Sequence, residues 1–114
     1  MSSAAQQARL WYWQRISAMA LALGVLVHLA VILYAVRGGL TGAEILGRTH
    51  RNWAFGLFYA LFVLACAVHV PIGFAKVAQE WLGWSGRAAD LMALALGLLL
   101  AGMGLRAVYA VVLA

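Results

Sequence analysis

The sequence predicts an all-α membrane protein with three transmembrane helices, on three observations. Of its 114 residues 67% are hydrophobic and only 10% are charged, too little polar surface for a soluble domain of this size. Three apolar runs, each long enough to cross a bilayer, are separated by short glycine-containing turns. The five tryptophans, Trp11, Trp13, Trp53, Trp81 and Trp84, all fall at the ends of those runs, where amphipathic rings collect at headgroup level. The length allows one domain, residues 1–114, with no internal repeat. The net charge of +5 comes from basic residues scattered singly. They form no patch for nucleic acid and read as membrane-edge residues.

Residues 1–8, MSSAAQQA, are polar and small and are expected to lie loose or as a short surface lead-in. The first span is expected over about residues 10–36, opened by Trp11, Tyr12 and Trp13 and closed by Tyr34. It is too long for a signal-peptide core and no small-residue cleavage pattern follows it, so it is expected to remain in the mature protein. Gly38, Gly39 and Gly42 end it. In the loop 37–52 the stretch TGAEILGR can form a turn or two of amphipathic surface helix, with Thr41 as N-cap and Glu44 three residues on. The second span is expected over 53–81, with a kink at Pro71. Gly83, Ser85 and Gly86 make the next turn. The third span is expected over 88–112, with Asp90 in its first turn where the helix dipole favours an anion.

Arg9, Arg15, Lys76 and Arg87 gather on one side of this arrangement, against Arg37, Arg48 and Arg51 on the other. By the bias of basic residues toward the cytoplasm, four against three, the N-terminus is expected there. The single cysteine, Cys66, excludes an intrachain disulfide and any cysteine-based zinc or iron–sulfur site. It reads as a small packing residue.

Chemistry enters through the histidines. His50 lies in the first loop beside Arg48 and Arg51 and reads as solvated. His28 and His69 lie inside spans, and an imidazole in hydrocarbon is costly unless something binds it. One reading is a hydrogen bond to a backbone carbonyl or a neighbouring helix. The other is a metal, and in this setting haem iron. Helical steps from His69 reach Phe58, Phe62, Ala65, Cys66, Gly73, Lys76 and Glu80. Small residues such as Gly73 would let a flat macrocycle approach the backbone, and Lys76 could reach an anionic propionate. Steps from His28 reach Ser17, Leu21, Gly24, Val31 and Ala35, where Gly24 leaves room but Val31 is bulky.

At a rise of 1.5 Å per residue, His28 lies roughly 27 Å along the first span and His69 roughly 16 Å from the cytoplasmic end of the second. The two rings are then about 10 Å apart in depth and cannot grip one iron between them. If both are ligands, each needs a further histidine, which a pair of chains could supply. Arg106, at the level of His28, either snorkels to the far interface or pairs with the propionates of a haem there. Arg15, near Gln14 and Ser17, either snorkels or hydrogen-bonds a quinone carbonyl or a propionate.

Two segments carry a family resemblance. RLWYWQRISAMAL resembles the HRxSG segment opening the first helix in the cytochrome b membrane subunits of succinate dehydrogenase and fumarate reductase. AVHVPIGFAKVAQEW resembles the HxxxG segment of their second helix, which carries the haem-ligating histidine and ends at an acidic residue. With the order of three spans, the resemblance covers nearly the whole chain. It implies an anchor for a flavoprotein and an iron–sulfur protein that holds haem b and helps bind quinone near the cytoplasmic face. His69 would be the haem ligand, Arg15 and Ser17 would lie at the quinone site, and His28 resembles the first-helix ligand of dihaem members. The chain departs from the pattern at Gln14, where the family usually has His, at Ala18, where it has Gly, and at Ala75, where many members have Arg, which leaves propionate pairing to Lys76.

The reading expected from the sequence is therefore half of a haem-binding helical bundle, completed by a second copy or a homologous membrane subunit. It would pass electrons between an iron–sulfur partner and membrane quinone. The chain carries no Gly-rich nucleotide loop, cysteine cluster or polar catalytic constellation, so dicarboxylate chemistry would belong to a partner. The rival readings are a haem-free structural anchor for a dehydrogenase and a small ion- or proton-conducting membrane protein.

Overall fold

The computed structural model describes residues 3–114 and is all-helical among them, with four helices in the order α1 (Ala4–Gly38), α2 (Gly42–Thr49), α3 (Trp53–Leu82) and α4 (Arg87–Val112). Helices α1, α3 and α4 are each long and apolar enough to cross a membrane, as in a multi-pass membrane protein. At 1.5 Å per residue they run about 52, 45 and 39 Å, so all exceed the ~30 Å hydrocarbon layer and their ends reach the headgroups. The molecule measures 50 × 23 × 23 Å.

Each helix boundary has a local cause. The lead-in expected over residues 1–8 is instead helical from Ala4; residues 1 and 2 lie outside the described residues. Ser3 caps α1, its side chain accepting from the Gln6 amide while the Gln6 side chain returns the bond. This reciprocal pair satisfies two amides that a helix start leaves free, and Ala-Ala-Gln-Gln-Ala then propagates well. Thr41 and Glu44 form the expected capping box of α2. Asn52 caps α3 by accepting from the Phe55 amide at 3.1 Å. Gly83, at φ 63, ends α3 in the left-handed conformation while the Trp84 amide donates to Ala78 O.

Helix α3 is central, with α1 and α4 both packed along it. The α3–α4 seam is built on small residues. Ala89, Ala93 and Gly97 are buried along α4 at four-residue spacing, which lets two backbones approach closely. Pro71 explains why Gly97 must be glycine. Proline has no N–H, so it cannot serve the Ala67 carbonyl one turn back. A Cβ on Gly97 would stand 2.5 Å from Pro71 Cγ and 3.0 Å from that carbonyl oxygen. Helix α4 therefore presses a Cα–H against the one backbone acceptor that Pro71 frees, a weak but useful contact in lipid. Helix α3 continues through Pro71.

The α2 loop is fastened to the far end of α4. The last carbonyls of a helix have no partner within it. Here the Thr49 hydroxyl donates to Val111 O at 2.8 Å and the Arg51 amide to Val112 O, also at 2.8 Å. Thr49 and Val112 are buried, and the Val112 side chain packs over Gly56. Arg51 takes a positive φ of 58 to make this turn, the only residue other than glycine to do so among those described. The first loop and the chain's C-terminal end thus share one side of the molecule, with the N-terminus and the α3–α4 turn on the other.

Candidate functional site

The seam between α1 and α3 carries three of the polar side chains singled out from the sequence, Ser17, His28 and His69. The two helices run antiparallel, and the pairs along them are Gln14 with Gly73, Ser17 with His69, Gly24 with Phe62, and His28 with Tyr59. Ser17, one of the few buried residues of α1, is 4% exposed. Its hydroxyl donates to the Gln14 carbonyl at 3.1 Å and lies 3.4 Å from His69 Nδ1. A serine that bonds back into its own helix is satisfied in hydrocarbon, and its oxygen stays free to accept. The Gln14 amide nitrogen stands against Gly73, 3.3 Å from where a Cβ would be, and Gln14 Oε1 is buried without a hydrogen-bond partner.

At the other end of the seam the Tyr59 hydroxyl lies 2.9 Å from His28 Nδ1. The two rings meet edge to face at 5.6 Å, and Phe62 lies 5.6 Å from the same imidazole. Phe55 and Phe58 extend this aromatic group around Tyr59 at 4.4 and 4.9 Å. The room that Gly24 was expected to leave beside His28 is filled. Phe62 packs into it, with Cδ2 2.6 Å from the position of an added Cβ. The open side expected at Gly73 is likewise taken, by Gln14. Close packing of α1 on α3 uses both glycines as holes for side chains of the facing helix.

The pairing also revises the depth. Ser17 faces His69 and is eleven residues from His28, while Tyr59 faces His28 and is ten residues from His69. The imidazoles are then about 15 Å apart along the helix axes, more than the ~10 Å expected from assumed span ends. One iron cannot reach both.

The remaining candidates lie elsewhere. Arg15 is exposed and its guanidinium sits 5.3 Å from the Trp11 ring centroid, one turn toward the N-terminus, rather than in the seam. Lys76 is exposed on the face of α3 that carries His69 and Gly73, two turns toward Trp81. Arg106 is exposed too. The face of α4 marked by Gly97, Gly104 and Val112 packs on α3, and Arg106 lies about 170° around the helix from it by the 3.6-residue repeat. Within one chain it does not meet His28. His50 is exposed at the end of α2, as expected of a loop residue. Sequence reasoning missed Tyr59. The available signal was a phenol hydroxyl deep in an apolar run, which needs a partner when buried.

Comparison of the chain with protein families, with curated proteins and with solved structures finds no match.

Proposed function

We propose that this protein is a haem b-binding membrane subunit of a succinate dehydrogenase or fumarate reductase type complex, passing electrons between an iron–sulfur partner and membrane quinone. One observation carries the reading. Both membrane histidines lie in one helix seam at separate depths, each with Nδ1 facing a hydroxyl of the opposite helix and Nε2 without a hydrogen bond among the described residues. Metal-bound histidines characteristically donate from their second ring nitrogen, and at His69 the Ser17 oxygen is placed to accept. Among the described residues no three His, Cys, Asp or Glu side chains gather around a point; a haem, which brings its own ring nitrogens, would ask only one imidazole of this chain at each depth. Haem b, when bound, would provide a one-electron relay at a potential tuned by its apolar surroundings.

The chain's own residues would divide the remaining work. His69 and His28 would each hold a separate haem through a ring nitrogen. With ~15 Å between their levels, any further protein ligand at each depth would come from another chain. A second copy or a homologous membrane subunit in the same orientation meets that need, since a two-fold axis along the membrane normal sets equal depths against each other. Lys76, on the His69 face, would meet a propionate, and Arg106, turned outward, would do so across an interface between chains. Ser17 and Gln14 offer polar groups near the same end, where quinone would be held. We place the N-terminus, Arg9, Arg15, Lys76 and Arg87 on the cytoplasmic side, where the flavoprotein and iron–sulfur subunits would dock, in a bacterial inner membrane.

A second reading draws on the same two bonds. Hydroxyl partners satisfy both imidazoles without iron, as in a haem-free anchor. The reduced-minus-oxidised spectrum of the complex purified in mild detergent separates the two. Sharp reduced α and Soret bands are expected of histidine-ligated haem b; a colourless complex with full partner occupancy establishes the bare anchor.

A further inference from the structure

The two hydroxyl–imidazole pairs look alike but differ in where their protons can go. A serine hydroxyl has one proton to give. That of Ser17 is committed to the Gln14 carbonyl at 3.1 Å, so toward His69, 3.4 Å away, its oxygen can only accept. The proton of His69 therefore belongs on Nδ1, and Nε2 keeps its lone pair. At His28 the balance reverses. The Tyr59 hydroxyl lies 2.9 Å from His28 Nδ1 and meets no other acceptor among the described residues. A half-buried phenol O–H facing hydrocarbon without an acceptor is costly, so Tyr59 donates to Nδ1 and the proton of His28 sits on Nε2.

We infer that the two membrane histidines are held in opposite tautomers, with Ser17 and Tyr59 as positioning residues: Ser17 presents His69 Nε2 ready for a metal, and Tyr59 keeps His28 Nε2 protonated. A consequence rests on the function proposed above. Ligation through Nε2 at His28 requires the ring proton on Nδ1 and Tyr59 turned from donor to acceptor, whereas His69 needs no rearrangement. The His69 site is the tighter haem site and the first to fill.

The test uses the full chain, labelled with 15N-histidine, in lipid nanodiscs at a pH where the imidazoles are neutral. The expected pattern shows His69 protonated at Nδ1 and unprotonated at Nε2, His28 the reverse, and His50, exposed in its loop, averaged between the two. Ser17→Ala is expected to move His69 toward the averaged pattern and leave His28 unchanged; Tyr59→Phe is expected to do the converse. The unaffected histidine in each variant reports that the fold is intact. The same tautomer at both positions, or a variant that leaves its own partner's resonances in place, overturns the inference. In the assembled complex, Ser17→Ala is expected to weaken haem binding at His69 about 10-fold or more, and Tyr59→Phe to leave binding at His28 undiminished. Unchanged affinity in Ser17→Ala, or His28 filling first under limiting haem, overturns the loading order. A complex that binds no haem at either level overturns the proposed function, while the resonances decide the tautomers independently.

Discussion

Replacing Gly97 with alanine tests whether α4 is set against α3 by the contact described at Pro71. The added methyl would lie 2.5 Å from Pro71 Cγ and 3.0 Å from the Ala67 carbonyl oxygen. Neither can step aside, since one belongs to a ring closed on the backbone and the other is backbone. The helices must separate instead. Overpacking of this kind costs about 1–3 kcal/mol. Alanine also recovers helix propensity, about 1 kcal/mol relative to glycine, which would mask part of the loss. Gly102, on the same helix, supplies the correction, because nothing lies within 4 Å of a Cβ added there. The difference between Gly97→Ala and Gly102→Ala cancels the propensity and leaves the clash, so Gly97→Ala should be the less stable by the full ~1–3 kcal/mol. Reversible unfolding in mixed micelles, followed by circular dichroism, measures both. Equal stability of the two variants would refute the close approach of α4 to Pro71. Gly104→Ala, which meets the Val63 side chain at 2.5 Å, should fall between them because a valine rotamer can yield.

Further predictions concern the loop and the topology. Thr49→Val keeps the shape but removes the donor to Val111 O, and should lower stability by about 1 kcal/mol while speeding amide exchange at Arg51 and Asn52. Arg51→Gly should be neutral or stabilising, since it relieves a left-handed backbone at φ 58. Arg51→Val, whose branched side chain resists that conformation, should destabilise by about 1–3 kcal/mol in the same unfolding assay. In a Cys66→Ser background, cysteines placed at His50 and Ala114 should react with an impermeant thiol reagent from one face of sealed vesicles, and one at Ser85 from the other. Labelling of His50 and Ser85 from the same face would contradict the three-span arrangement.

The spans were legible because hydropathy and tryptophan placement are local signals, and so was the cap at Thr41–Glu44. Helix α1 begins earlier than expected because its polar start was read as loop, although Ser3 and Gln6 form a capping box there. What periodicity along one helix cannot give is the register between two. The pairing of His28 with Tyr59, the packing of Phe62 into Gly24 and the Gln14 amide over Gly73 all depend on how α1 is set against α3. The depth estimate fell short for the same reason, being counted from assumed ends. Arg106 was matched to His28 by depth alone, but azimuth turns it away. The candidate histidines were legible; the hydroxyls that orient them were not, apart from Ser17, which was read as a neighbour of His28 and Arg15 and at a quinone site rather than as a partner of His69.

The proposed function puts a separate haem at His69 and at His28, and haem counts on the intact complex, purified as wild type and as the variants His69→Ala and His28→Ala, test it. The expected outcome is loss of one distinct haem in each variant, with the cytoplasmic-side haem missing only in His69→Ala. A full haem complement in both variants would contradict the assignment.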